Sequence, residues 1–311
     1  MQQKFLDEFR RQVVLGAKSQ TTLRTYEVVL DAFGRGSRVE HLEEVDQDVV
    51  GKYLVDLREG RLPFSRKPNS PATVAKNWRH LNGFFQWCRR RGYRMHHSLF
   101  EEGRRGATIL TIPQPIVDEG EPKAWSEGEI ASIRQAARNS GHNAAERAFV
   151  MLIVELLLRT GVRLSELVNI KLDDIQGENI RVTKSKAVRG RRIRPMRWVP
   201  LYPEPRSMVA KWIEKFRPDA PTEHLLISPA TGTAITMRGV QSMLQRIEKM
   251  VGCGSSAHRY RHAFGIFYLR KNPGQIAKLK EIMGHSDFQT VMIYAKFAQQ
   301  DITVDSEDPF A

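Results

Sequence analysis

Near its C-terminal end the chain reads His258-Arg259-Tyr260-Arg261-His262, then Gly284-His285, then Tyr294, nine residues after that histidine. Upstream, at the end of an apolar run, stands Thr160-Gly161-Val162-Arg163-Leu164-Ser165-Glu166-Leu167. These side chains suit work on a phosphodiester. Arginines neutralise phosphate charge, histidines donate hydrogen bonds or exchange protons, and a tyrosine oxygen can attack phosphorus. A helix beginning about Ala257, capped by Ser255 or Ser256, would carry His258, Arg261 and His262 at i, i+3 and i+4, on one face. Ala263, Phe264, Ile266, Phe267 and Leu269 take much of the rest, so the helix reads as largely buried. A buried helix that keeps two histidines and an arginine on one stripe implies an anionic ligand.

Each residue alone has a plainer reading. Arg163 can be a surface arginine beside a turn, although its place after Gly161 at a helix start lets backbone amides and guanidinium share a phosphate. Gly284 suits a helix C-cap after Lys278 to Met283, which leaves His285 in a loop, and Tyr294 can pack with Val291 and Phe297. His258 and His262 also have the spacing of paired zinc ligands on a metalloprotease helix. That chemistry needs a glutamate after the first histidine, where this chain has Arg259, and Arg261 also lies between the two. Zinc is therefore not implied. No G-x-x-x-x-G-K-[ST] loop is present, and no cofactor is expected.

Jointly, the order and spacing closely resemble the tyrosine recombinase, or phage integrase, family of site-specific DNA recombinases. The family pattern is an arginine in a (T)G-hydrophobic-R-x-S-E-L context, a lysine on a β-hairpin, H-x-x-R-H, then G-H and a tyrosine nine residues on. The family's catalytic domain matches over residues 123–300, and the N-terminal helical segment resembles its core-binding domain less specifically. The resemblance implies a mainly α fold with a small β-hairpin or sheet, in two domains. It implies that Tyr294 attacks the scissile phosphate to leave a 3′-phosphotyrosyl link, while Arg163 and Arg261 clamp the non-bridging oxygens. His258 and His285 would hydrogen-bond the phosphate or assist the tyrosine's proton loss, with His262 in support. Val182-Thr183-Lys184-Ser185-Lys186 resembles the strand that ends in the family's active-site lysine, the residue that protonates the departing 5′-oxygen. Lys186 best fits the tip, and Lys184, one pleat repeat away, stays the alternative. The implied partners are double-stranded DNA with a specific recombination site and three further copies of the chain, four protomers on two duplexes passing through a Holliday junction. A type IB topoisomerase would share the chemistry but relax supercoils as a monomer, and a non-catalytic DNA-binding regulator would share the fold. The Gly-His to Tyr spacing disfavours the first, and the full catalytic set disfavours the second.

The elements that must position these residues can be read in outline. The 311 residues suffice for two domains, and the formal charge of +14 points to a polyanionic partner. Residues 1–105 hold 20 basic and 13 acidic side chains, so they carry +7, as do residues 106–311. The expected organisation is a helical core-DNA-binding domain at 1–105, a linker at 106–122, a catalytic domain at 123–300 and an acidic tail at 301–311. The two basic domains are expected to clamp the duplex. In the first, helices are expected at 20–34, at 45–57, and from the Ser70-Pro71 start to about Arg91-Gly92, beside Arg89, Arg90 and Arg91 as candidate DNA contacts. Pro113, Pro115 and Pro122 with Gly106 and Gly120 break the helical period over the linker. Helices follow at 126–137, where Ser126 and Glu129 form a capping box, at 149–159, and from Ser165 to Ile170. Strands are expected at 179–184 and 197–202. From Arg181 to Arg197 there are eight basic residues and no acid, including Lys184, Arg189, Arg191, Arg192 and Arg194. Such unopposed charge is expected to lie against nucleic acid. Cys88 and Cys253 show no metal-ligand spacing, no run is long enough to span a bilayer, and the N-terminus lacks a signal core. A cytoplasmic, nucleoid-associated protein is expected, with about twenty residues before the first helix and therefore a simple integrase or Xer-like layout.

Overall fold

Local signals place the first helices of the chain. Asp46 accepts a hydrogen bond from the Val49 amide and starts α2 (Gln47–Glu59), which Gly60 ends in the left-handed conformation. Ser70 and Pro71 start α3 (Pro71–Arg90), and α1 (Gln20–Ser37) precedes both. The computed structural model describes residues 8–9, 11, 20–64, 67–102, 108–116, 124–183, 196–253, 257–285 and 288–299. It divides into two units, residues 1–120 and 121–311.

In the first unit α1, α2 and α3 bury Phe33, Tyr53, Leu81, Phe84 and Phe85 in one aromatic core. Two short antiparallel strands, β1 (Phe100–Glu102) and β2 (Thr108–Leu110), were not foreseen by the helical reading. Leu110 is buried, and Trp78 Nε1 donates to the Ile112 carbonyl at 2.7 Å. The stretch 108–112, expected in the linker, thus packs on the helices. Glycine and proline suppress a helix but leave a short strand open to an apolar residue. Arg89 lies over the Phe100 ring, Arg90 Nε bonds to the carbonyl of Gln86, and Arg91 lies 3.8 Å from Glu8.

The second unit is built on α5 (Ala144–Thr160), buried on all sides over most of its length. Its one buried acid, Glu155, is held by Arg134 in a bidentate pair at 2.6 and 2.9 Å and by Arg159 at 2.8 Å. Arg134 belongs to α4 (Glu127–Arg138), which opens with the Ser126–Glu129 capping box. The pair fixes α4 on α5, because a buried carboxylate must keep its cation. Then α6 (Leu164–Leu167) is a single turn, shorter than the expected 165–170, with Arg163 as its N-cap.

A three-stranded antiparallel sheet follows, in the order β3 (Ile175–Gln176), β4 (Asn179–Thr183), β5 (Met196–Pro200). Ile180 pairs with Val199 and Val182 with Arg197, and all four point to the core. The chain continues through α7 (Pro203–Lys211), α8 (Met237–Val251), α9 (Ala257–Lys271), α10 (Ile276–Met283) and α11 (Gln289–Gln299). Two members of the basic stretch depart from expectation. Arg197 is buried against Glu166, and Arg181 Nε lies 2.8 Å from Asp174 Oδ1, so neither is an unopposed charge facing nucleic acid. The missing acids come from outside the stretch, one turn and one strand away. Lys184, Lys186, Arg189, Arg191, Arg192 and Arg194 lie outside the described residues, as do Ser255, Ser256 and the tail 301–311. Among the described residues no helix is long and apolar enough to cross a membrane.

Candidate active site

Thr160 and Gly161 end α5, and Gly161 adopts φ of +60°, where a side chain would be strained and its Cβ would collide with the Phe264 ring. That reversal delivers Arg163 to the start of α6. Its backbone N–H donates to Glu166 Oε2 at 2.8 Å, and its Nη1 lies 3.2 Å from Glu166 Oε1. The Arg163 side chain remains 37% exposed, at the wall of a cleft of about 370 Å³. His258 and Arg261 of α9 line the same cleft, with Gln241 and Gln245 of α8 opposite.

Arg261 is buried, and two backbone carbonyls hold its guanidinium. Nη1 donates to Gly161 and Nη2 to Met283 at 2.7 Å. Burial, then the charge of Arg163, pull its pKa down to about 10, so it stays cationic at neutral pH. The sites upstream and downstream of α9 are thereby tied to one side chain. Arg259, between the two histidines in sequence, points elsewhere, with its guanidinium 3.6 Å from the Trp125 ring centre and 3.2 Å from Glu129. Among the described residues no three His, Cys, Asp or Glu side chains come together as a metal site would require.

Tyr294 sits behind the cleft on α11, 3% exposed. Its ring lies over Gly265 of α9, where an added Cβ would approach it to 2.9 Å, and stacks on His285 with ring centres 6.2 Å apart. Its hydroxyl lies 3.0 Å from His262 Nδ1. Burial raises the Tyr294 pKa, and Arg261 and Arg163 oppose that rise. Burial also lowers all three histidines. For His258 the neighbouring charges of Arg261 and Arg163 add to the effect, and for His262 those of His258 and Arg261. His285 falls to about 3 because Arg261, Arg163 and Arg197 surround it as well. At neutral pH these imidazoles are uncharged, each with one N–H to donate, and His262 is the one placed to accept the Tyr294 proton.

The structure thus brings Arg163, His258 and Arg261 to one cleft and sets His285, His262 and Tyr294 directly beside Arg261. Lys186 and Lys184 fall outside the described residues. Two parts of the network escaped the sequence reading. His262, expected only in support, is the group in contact with the Tyr294 hydroxyl. Arg197 holds Glu166 through two bonds at 3.0 and 2.8 Å and donates from Nε to the Ile282 carbonyl at 2.6 Å. Strand parity could have found it, since Arg197, Val199 and Leu201 fall on one face.

Known proteins resemble the chain in sequence and in fold. The XerC tyrosine recombinase of Staphylococcus aureus strain JH9 is 27% identical over 293 residues, covering 91% of this chain and 88% of that protein. The XerH site-specific recombinase, solved on a palindromic difH substrate in a post-cleavage complex, superposes with a TM-score of 0.69 at 19% identity, covering 95% of this chain and 81% of that one. A lambda integrase tetramer bound to a Holliday junction gives 0.68 at 18% identity, with 91% and 77% covered. The sequence profile described as the Phage integrase family matches residues 124–301, more than half of the chain and all of the cleft, and the chain belongs to that family.

Proposed function

We infer that the chain is a site-specific DNA recombinase of the integrase or Xer-like kind, which cuts and rejoins double-stranded DNA through a 3′-phosphotyrosyl intermediate. One observation carries the reading. A buried tyrosine in contact with a neutral histidine lies beside an arginine-lined cleft open to solvent. Such a cleft suits a phosphodiester, whose charge rises as the nucleophile adds.

Tyr294 is the nucleophile in this reading, and Arg163 and Arg261 bind the non-bridging oxygens. His258 and His285 donate to the phosphate, with His262 taking the phenolic proton. Lys186, or Lys184 in its place, protonates the departing 5′-oxygen. Attack forms the tyrosyl-phosphorus bond and breaks the bond to the 5′-oxygen, and the reverse step rejoins the strand without a cofactor. The working assembly is four protomers on two duplexes, as supported by the lambda integrase tetramer on a Holliday junction. DNA binding by the N-terminal unit, extended from 1–105 to include the packed stretch 108–112, catalysis by 123–300, and the contacts of Arg89, Arg90, Arg91, Arg189, Arg191 and Arg192 with DNA belong to the same proposal. So does residence in the cytoplasm at the nucleoid, where the substrate lies.

The test is a nicked suicide duplex carrying a site that the intact chain selects from a randomised library. The intact chain should leave a covalent protein–DNA adduct. Tyr294→Phe removes one oxygen and keeps the ring, so DNA binding should persist and the adduct should vanish. Tyr260→Phe and Tyr268→Phe should still form it. An adduct that persists in Tyr294→Phe would end the assignment.

A further inference from the structure

Arg197 occupies a position on β5 that the alternation of the strand reserves for an apolar residue. Its side chain is 7% exposed, facing the core opposite Val182. All of its donors toward Glu166 and α10 are engaged at once. Nη1 and Nη2 grip the two Glu166 oxygens, and Nε takes the carbonyl of Ile282. The next carbonyl, of Met283, is the one that holds Arg261. The next residue is Gly284, at φ of +66°, where an added Cβ would stand 3.0 Å from the Arg197 guanidinium. Then comes His285. One guanidinium therefore braces the turn that carries Arg163 and the segment that leads into His285.

The charges give this bracing a consequence. Glu166 is 2% exposed, so its carboxylate cannot be stabilised by water and must draw on a neighbouring cation. Among the described residues two cations contact it, Arg197 and Arg163. The bidentate pair with Arg197 meets that demand, which leaves Arg163 tied by one longer contact with its charge directed to the cleft. With Arg197 gone, Glu166 would claim Arg163, drawing its guanidinium inward and cancelling its charge. Burial by itself would raise the Glu166 pKa, but the Arg197 bonds and charge, with help from Arg163, hold it below the ordinary glutamate value. The carboxylate is thus a standing competitor for any phosphate.

We propose that Arg197 is a positioning residue for strand cleavage: by satisfying Glu166 it frees Arg163 to bind the scissile phosphate, and by holding Ile282 it sets the segment that presents His285. This rests on the recombinase reading above. The selected suicide duplex serves as probe in two forms, one with a scissile phosphodiester and one with a scissile methylphosphonate. The second has no charged non-bridging oxygen at the scissile position, so it asks little of Arg163. Arg197→Met should slow adduct formation about 100-fold on the phosphodiester, the order of loss seen when a charge-stabilising donor is removed. Its deficit should shrink to less than about 10-fold on the methylphosphonate, because the quenched charge is no longer required. The double variant Arg197→Met/Glu166→Gln removes the competitor too, and should return to within about 10-fold of the intact chain on the phosphodiester.

Equal deficits on the two substrates would mean a general loss of structure, and would overturn the proposal. So would an Arg197→Met protein that cleaves as fast as the intact chain, or a double variant as slow as the single one. If Arg197→Met does not fold, the double variant decides alone by the same threshold. Failure of the intact chain to form any adduct, or an adduct in Tyr294→Phe, would instead sink the recombinase reading.

Discussion

A phenol with a pKa near ~10 attacks phosphorus slowly at neutral pH unless something takes its proton. Among the described residues the Tyr294 hydroxyl has one such group within reach, the Nδ1 of His262 at 3.0 Å. Burial, then His258 on the same helix and Arg261, keep His262 below the ordinary histidine value, so the neutral, proton-accepting form persists through neutral pH. The sign follows. Activity that needs neutral His262 is fully present above its lowered pKa and is lost only as pH falls through it. The second-order rate of adduct formation, which reports groups of the free protein, should have its acid limb centred below the ordinary histidine value. His262→Ala should slow adduct formation about 100-fold, the lower end for loss of a general base. An acid limb centred above the ordinary histidine value, or a His262→Ala protein as fast as the intact chain, would move the proton to another acceptor.

At the scale of elements, the site depends on how closely α9 and α11 approach. Gly265 is what permits it. Alanine in mid-helix ordinarily stabilises by about 1 kcal/mol over glycine, but here its Cβ would meet Tyr294 Cγ at 2.9 Å, at the root of the ring and not at a movable tip. Gly265→Ala should therefore leave the helix formed and displace the ring. Adduct formation should drop by about 10-fold or more, since misplacing a reacting group by an ångström can cost 100-fold. Unchanged cleavage would show that α11 gives way without cost. The elements themselves were largely legible in the sequence. Caps at Ser70 and Ser126 and the glycine at 284 announced helix ends correctly, because capping chemistry is local. Legibility failed where partners are distant. Arg181 and Arg197, the two described cations of the basic stretch, looked unopposed only because Asp174 and Glu166 lie outside it. Helix α8 went unread although Thr236 caps it and Val240, Met243, Leu244 and Ile247 share helical spacing, because none of its residues suggests chemistry. Gly284 marks where α10 ends, but nothing in the sequence shows that its carbonyls reach Arg197 and Arg261, since a carbonyl is the same in every residue.

Over the whole molecule, the formal +14 overstates nothing in total but misplaces where the charge can act. Several arginines are committed internally: Arg134 and Arg159 to Glu155, Arg197 to Glu166, Arg181 to Asp174 and Arg259 to Glu129. Cations outside such pairs are the ones that can displace counterions from DNA. Arg90 and Arg181 make a direct comparison. Arg90 is exposed and, among the described residues, bonds through its Nε to a carbonyl of its own helix, whereas Arg181 faces a carboxylate at 2.8 Å. Binding of the selected duplex, measured over a series of salt concentrations, should fall linearly on a double-logarithmic plot. Losing one phosphate contact lowers that slope by about 0.9, so Arg90→Ala should flatten it by about one. Arg181→Ala should keep the slope of the intact chain, because its charge was already answered by Asp174 and released no ion. If both variants flatten the plot alike, the Arg181–Asp174 pair must open on DNA, and ion pairing in the free protein would not predict which cations meet phosphate.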